Sequence, residues 1–211
     1  MVSEVEHKEE KIWGVERARQ YAEGHKKYAG MMYGGIIKDV GFLKTTGRFL
    51  EMGAGPGFLS VMLAQKYPDI SVTAVDISPG MVEVGKEYIA ENMLEGRIDY
   101  LVGDVSDRDF IQKLGKFDFV FTSFSLHDWR PLDGAIRNLW EAVGDGGILY
   151  VHDFKRQGWL RFLPVDDEGF EAMKNAYTPD EIRAVLRQLE ITDYSIRCRF
   201  PFIFQSVIAR K

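Results

Sequence analysis

The stretch Arg48-Phe49-Leu50-Glu51-Met52-Gly53-Ala54-Gly55-Pro56-Gly57-Phe58-Leu59-Ser60 contains a strand, a glycine-rich turn and the start of a helix. Arg48–Met52 has the apolar content of a buried strand, and a helix is expected from about Phe58. Between them Gly53, Gly55 and Gly57 allow the backbone to come close to a ligand with no Cβ in the way. The first N–H groups of the following helix point to the same place. A plain strand-to-helix turn would carry the same run, so the neighbouring strands decide its meaning.

Downstream, short β-branched and aromatic runs alternate with helical patterns, as in a parallel sheet. Further strands are expected at Ser71–Asp76, Ile98–Val102, Phe117–Thr122 and Ile148–Asp153. Helical spacing of apolar residues appears at Met81, Val84 and Tyr88, and again at Leu132, Ile136, Leu139 and Val143. Ser78-Pro79 has the form of an N-cap followed by proline at the first helical position. Thr178-Pro179-Asp180-Glu181 has the form of a capping box. At the end, Ile191–Phe200 and Phe202–Ala209 are two strand-like runs broken by Pro201, which suggests an antiparallel pair. Residues 1–47 are expected to form an N-terminal helical extension of a single domain covering residues 1–211.

Two acidic residues give the glycine turn a chemical sense. Asp76 ends the second strand, 19 positions after Gly57, where a carboxylate can accept both hydroxyls of a ribose. Gly103-Asp104 closes the third strand, where a carboxylate can accept from the amine of an adenine. A nicotinamide cofactor would call for Gly-x-Gly-x-x-Gly, but here the third glycine arrives one residue early and Phe58 fills its place.

These motifs resemble those of the class I S-adenosylmethionine-dependent methyltransferases, small-molecule type. The resemblance runs from Glu51–Gly57 through Val72–Ser78 and Gly103-Asp104-Val105 to Phe117-Asp118-Phe119-Val120, and covers roughly residues 48–154. It implies a Rossmann-like, doubly wound α/β sheet of seven strands in the order 3-2-1-4-5-7-6, the seventh antiparallel. It also implies that Glu51, Gly53 and Gly55 surround the methionine part of S-adenosyl-L-methionine, Asp76 and Ile77 the ribose and adenine, and Asp104 with Val105 the adenine edge. Ser123, at the end of the fourth strand, is counted with this cofactor set.

The reactive crevice of such a sheet lies beyond the carboxyl ends of its central strands. The fourth strand runs into Thr122-Ser123-Phe124-Ser125-Leu126-His127-Asp128-Trp129 and the fifth ends in Val151-His152-Asp153-Phe154. His127 is the candidate general base or acceptor-orienting residue, because imidazole titrates near neutrality. Asp128 is a second catalytic candidate, or else a cap for the helix that starts near Pro131. Tyr28, Tyr33, Trp129 and His152 are expected to line the acceptor pocket. An aromatic-rich insert at 156–177, with Trp159, Phe162, Leu163, Phe170, Met173 and Tyr177, has the character of a lid.

Composition limits the alternatives. Among 211 residues, 45% are hydrophobic and 28% charged, which suits a folded domain, and the net charge of −5 argues against a broad nucleic-acid surface. The lone Cys198 excludes an internal disulfide and a cysteine-based zinc site, and no acidic trio with metal-ligand spacing is present, so no metal is expected. The charged start, Met1 to Lys11, lacks the apolar run of a signal peptide, and no stretch approaches the ~18 apolar residues of a membrane span. The expectation is a cytoplasmic methyltransferase acting on a small molecule. Its rivals are a non-catalytic S-adenosylmethionine-binding regulator and an NAD-dependent oxidoreductase.

Overall fold

In the computed structural model, which describes residues 12–158, 168–199 and 203–211, the glycine turn leaves the central strand of a seven-stranded sheet. The strands are β1 (Gly47–Met52), β2 (Ile70–Asp76), β3 (Ile98–Val102), β4 (Phe117–Ser123), β5 (Val143–Phe154), β6 (Tyr194–Arg199) and β7 (Phe204–Arg210). Their order is β3-β2-β1-β4-β5-β7-β6. β1 to β5 are parallel, while β7 runs antiparallel to both β5 and β6. This is the expected order and sense. It places the carboxyl ends of β1, β2 and β4 side by side at the point where the winding reverses.

The helices are α1 (Val15–Lys26), α2 (Ala29–Leu43), α3 (Phe58–Lys66), α4 (Pro79–Glu91), α5 (Arg108–Leu114), α6 (Leu132–Ala142), α7 (Glu168–Asn175) and α8 (Pro179–Gln188). Strand alternation sorts the core into two layers. Phe49, Phe119, Phe121 and Tyr150 face one side, with Ile36, Ile37 and Val40 of α2. Leu50, Val120, Leu149 and Val151 face the other, with Ile136, Leu139, Ile182 and Leu186 of α6 and α8. Each large side chain fully buried in these layers contributes about 1.5–3 kcal/mol.

Local signals act where the sequence put them. Ser78 caps α4, accepting from Met81 N–H at 3.4 Å. The Thr178–Glu181 capping box of α8 is formed in both directions. The same Ser78 hydroxyl accepts from Trp13 N–H and donates to the Trp13 carbonyl, both at 3.0 Å. That pair anchors the chain ahead of α1 beside the end of β2, and Ala18 and Ala22 bury α1 against Met81 and Val84 of α4.

Several boundaries differ from the sequence reading. Val143 opens β5 rather than closing the preceding helix. The register jumps from Phe117↔Val143 to Phe119↔Ile148, so the glycine-rich residues 144–147 bulge out of an otherwise continuous strand. β6 begins at Tyr194 rather than Ile191, and β7 runs on to Arg210; Phe200, Pro201 and Phe202 lie outside the described residues, as do Trp159, Phe162 and Leu163 of the insert. Asp128 does not cap the helix after it: Pro131 is the N-cap of α6 and no side chain bonds there. The described end of the insert is tied down, with Tyr177 donating to the Trp129 carbonyl at 2.6 Å and Arg130 to the Asn175 carbonyl at 2.8 Å.

Candidate functional site

The turn after β1 is braced on three sides. Gly53 N–H and Ala54 N–H donate to the Val75 carbonyl at 2.8 and 3.0 Å. One oxygen of the Asp76 carboxylate accepts from Gly55 N–H at 2.8 Å, and the other from Ser78 N–H at 2.9 Å. The Tyr100 hydroxyl donates to the Gly55 carbonyl. Two glycines have separate reasons to be there. Gly53 has φ 73°, and a Cβ on it would lie 2.4 Å from Ser125 Oγ, so its bareness admits the segment that follows β4. Gly55 has φ 55° and open space where its Cβ would stand, so it leaves room for a ligand.

The electrostatics of this cradle are one-sided. Glu51 is 1% exposed, and burial pushes its carboxyl up to about 8, against the Ser60 hydroxyl bond that favours its anion and with added repulsion from Asp76. Asp76 is also raised by burial, opposed by its N–H partners at Ser78 and Gly55 and pushed further by Asp128. Burial raises the phenols of Tyr100 and Tyr33 too, and Glu51 is among the charges acting on both. Among the described residues, no cation figures in the shifts of these four groups. Such a basin favours a ligand that brings positive charge. The sulfonium and ammonium of S-adenosylmethionine fit it, whereas a pyrophosphate would meet repulsion.

The carboxyl ends of β4 and β5 are built differently. Phe124, the residue after β4, holds a left-handed φ of 54°, a conformation that costs a non-glycine residue of order 1 kcal/mol. Its N–H donates to the His152 carbonyl at 2.9 Å, which fixes the bend. The chain then enters a single 3-10 turn, Leu126–Asp128. There Asp153 takes hold of His127 twice: His127 N–H donates to Oδ2, and ring Nδ1 lies 2.9 Å from Oδ1. An ionised carboxylate only accepts, so Nδ1 carries the proton and Nε2 is the basic nitrogen. Nε2 lies 3.7 Å from an Asp128 oxygen. Both partners are buried, His127 at 7% and Asp153 at 1% exposure.

His152, next in sequence to Asp153, faces the opposite side of the sheet, where its Nδ1 lies 2.8 Å from Ser206 Oγ. Aromatic rings join the two histidines. Phe154 lies 5.7 Å from His127 and 5.5 Å from Phe204, which stacks on His152 at 5.8 Å. Phe124 meets His152 edge-on at 5.3 Å, and Tyr33 of α2 lies 6.0 Å from Phe124.

The expected site residues therefore fall into groups. Glu51, Gly53, Gly55 and Asp76 are together around the turn, and the Ile77 backbone adds a further bond to the Asp76 carboxylate. Asp104 accepts from Ser106 N–H at 2.8 Å at the end of β3. Val105 points its side chain into the second core layer, and its carbonyl accepts from Asn138 at 2.8 Å, which leaves only its backbone edge for a base. Ser123 is buried, and its carbonyl accepts from Ser125 Oγ at 3.2 Å. The Trp129 ring rests on the glycine turn, 3.6 Å from where a Gly53 Cβ would stand. Tyr33 and His152 join the aromatic cluster. Tyr28 does not: it is 47% exposed, with the Lys27 ammonium 4.9 Å over its ring. The sequence reading did not assign roles to Ser60, Tyr100, Ser125 and Asp153. For Asp153 a signal existed, since strand alternation puts it on the other face from His152. Among the described residues no three His, Cys, Asp or Glu side chains are grouped to hold a metal ion, and no helix is long and apolar enough to cross a membrane.

Known proteins share part of this sequence and its fold. Residues 49–147 match the model of a methyltransferase domain. The chain is 27% identical over 134 residues to the malonyl-acyl-carrier-protein O-methyltransferase of Acetivibrio thermocellus, covering 64% of this chain and 44% of that protein. It is 32% identical over 116 residues to the ribosomal RNA small subunit methyltransferase C of an Enterobacter species, covering 51% of this chain and 31% of that one. It thus spans less than half the length of either relative. The fold is also that of an S-adenosyl-L-methionine-dependent methyltransferase structure from Methanococcus maripaludis, with a TM-score of 0.73 and 22% identity over 94% of this chain and 93% of that one. With its strand order, glycine turn and acidic cradle, the chain carries, at residues 49–147, a methyltransferase domain of the class I S-adenosylmethionine-dependent kind.

Proposed function

We propose that this protein transfers a methyl group to a small, largely uncharged acceptor bearing an O–H or N–H, with His127 as the base. The observation that carries this reading is the buried His127–Asp153 pair beside the glycine turn. S-adenosylmethionine, when bound, supplies an electrophilic methyl carbon on a sulfonium. Glu51, Gly53 and Gly55 would hold its methionine part, Asp76 and Ile77 its ribose, and Asp104, Val105 and Ser123 the remaining edge. Trp129 would cover the turn.

On the other side, the aromatic frame of Tyr33, Phe124, Phe154 and Phe204 would orient a flat acceptor and exclude water, and His152 would supply a polar contact. Alignment of the acceptor provides most of the rate gain in such a displacement. His127 Nε2 would take the acceptor's proton, and Asp153 would stabilise the resulting imidazolium. A net charge of −5 and the acidic cradle support a small molecule over nucleic acid, although a ribosomal RNA enzyme is among the similar proteins. The cytoplasm as its compartment rests on the sequence alone.

The test is a screen of metabolite mixtures with radiolabelled methyl donor, comparing the wild type with His127→Ala. Label should enter an acceptor with the wild type and fall about 10²–10⁴-fold with the variant. Cofactor binding with no turnover on any acceptor would favour the regulatory alternative.

A further inference from the structure

Tyr100 belongs to β3, yet it bonds to the glycine turn that follows β1. In the order β3-β2-β1 its side chain has to pass over β2 to get there. Its directly opposed neighbour on β2 is Ala74, whose methyl is too small to block the way. At the far end the phenol hydroxyl donates to the Gly55 carbonyl. The ring is buried in a slot with a glycine on each side. A Cβ on Gly85, in the middle of α4, would run into the ring. One on Gly57 would stand 3.5 Å from the ring and 3.9 Å from Gly85 Cα. A glycine inside a helix costs stability relative to alanine and calls for a packing reason. At Gly85 that reason is the Tyr100 ring.

What the hydroxyl holds is the freest residue of the turn. Gly55 has a left-handed φ of 55° and no side chain to anchor it. Its N–H donates to Asp76 at 2.8 Å, and its carbonyl accepts from Tyr100. These groups belong to the two peptides on either side of Gly55 Cα, so the two bonds together fix its φ and ψ. A loose glycine would have to be ordered when the ligand arrives, and that ordering would weaken binding. We infer that Tyr100 is a positioning residue that holds the Gly55 turn in its cofactor-binding shape in advance, and that Gly85 is bare to admit its ring. The consequence for affinity rests on the proposal that Gly55 holds the methionine part of S-adenosylmethionine. A residue of the edge strand and a glycine of α4 thereby set the quality of a site that neither of them lines.

Two measurements on the full chain, freed of ligand, test this. Amide hydrogen exchange followed by NMR reads the turn without cofactor. In Tyr100→Phe, which keeps the ring, the Gly55 and Gly57 amides should exchange roughly tenfold faster, the effect of one lost hydrogen bond. The amides of β5 and β7 should keep their wild-type rates, which separates a loosened turn from a loosened fold. Calorimetric titration with S-adenosylhomocysteine should show Kd raised roughly tenfold for the same reason. Gly85→Ala, which displaces the ring, should weaken binding by a similar factor, and in the double variant the two losses should not multiply. If Gly85→Ala does not fold, Tyr100→Phe decides alone. Unchanged exchange at Gly55, unchanged affinity in Tyr100→Phe, or losses that multiply in the double variant overturn the inference. A wild type that binds no S-adenosylhomocysteine would overturn the cofactor assignment of the turn, and the exchange rates would still decide whether Tyr100 holds it.

Discussion

The two halves of the crevice are made from different materials. At the ends of β1, β2 and β3 the cradle is mostly backbone: a bare turn, the N–H groups around it, and one carboxylate bonded to Gly55 and Ser78. At the ends of β4, β5 and β7 the chemistry is carried by side chains that meet across the fold, His127 with Asp153 and His152 with Ser206. A cofactor common to a family can be met by a common backbone shape. An acceptor peculiar to one enzyme needs pairs of side chains that can change without disturbing that shape. If the halves are separable in this way, each should fail alone.

The largest effect is expected on the acceptor side. Asp153→Asn removes the carboxylate that holds Nδ1 of His127, and methyl transfer should drop by about 10²–10⁴-fold while S-adenosylhomocysteine affinity stays within about twofold. Parallel loss of cofactor affinity, measured by calorimetry, would show that the two halves are one. Next, Asp76→Ala should weaken cofactor binding at least tenfold, since hydrogen bonds to a charged group are worth about 1.5–3 kcal/mol each. Turnover at saturating cofactor should be retained within a few-fold, and an unchanged affinity would sink the ribose assignment.

The smallest effect is a matter of pH. The Glu51 carboxyl lies at about 8 in the folded protein, against an ordinary value of 4.5. Between these values the folded state binds more protons than the unfolded one, so this group makes stability fall as pH rises from about 4.5 to 8. Glu51→Gln, which cannot ionise, should lose that part of the decline. The difference in Tm between pH 5 and pH 8 should therefore shrink, and a difference as large as in the wild type would contradict the raised carboxyl of buried Glu51.

The cofactor half was legible in the sequence because its determinants are local. A strand, three glycines and an acidic residue at the next strand's end sit within thirty positions, and the strand order was implied by the family resemblance those motifs carry. Ser78 and Thr178 act as the caps their local patterns indicate. The acceptor half was legible only as a neighbourhood. His127 could be placed at the end of β4, but its partner lies 26 residues on, and no local pattern distinguishes a histidine held by Asp153 from one facing solvent. Asp128, read as a catalytic candidate or else a cap, makes no cap and lies 3.7 Å from the ring nitrogen of its neighbour. Tyr28 and Tyr33 are five positions apart, too far round a helix to share a face cleanly, and only Tyr33 reaches the cluster. The bulge at 144–147 was hidden because glycines also end strands, and it takes the pairing of Val143 with Phe117 to show that β5 has already begun.

The central claim is that the acidic cradle is built for a cationic nucleotide cofactor, and calorimetric titration of ligand-freed protein tests it most directly. S-adenosylmethionine, titrated near pH 7.5, should bind, and NAD should not. Absence of S-adenosylmethionine binding, or binding of NAD in its place, would contradict the account.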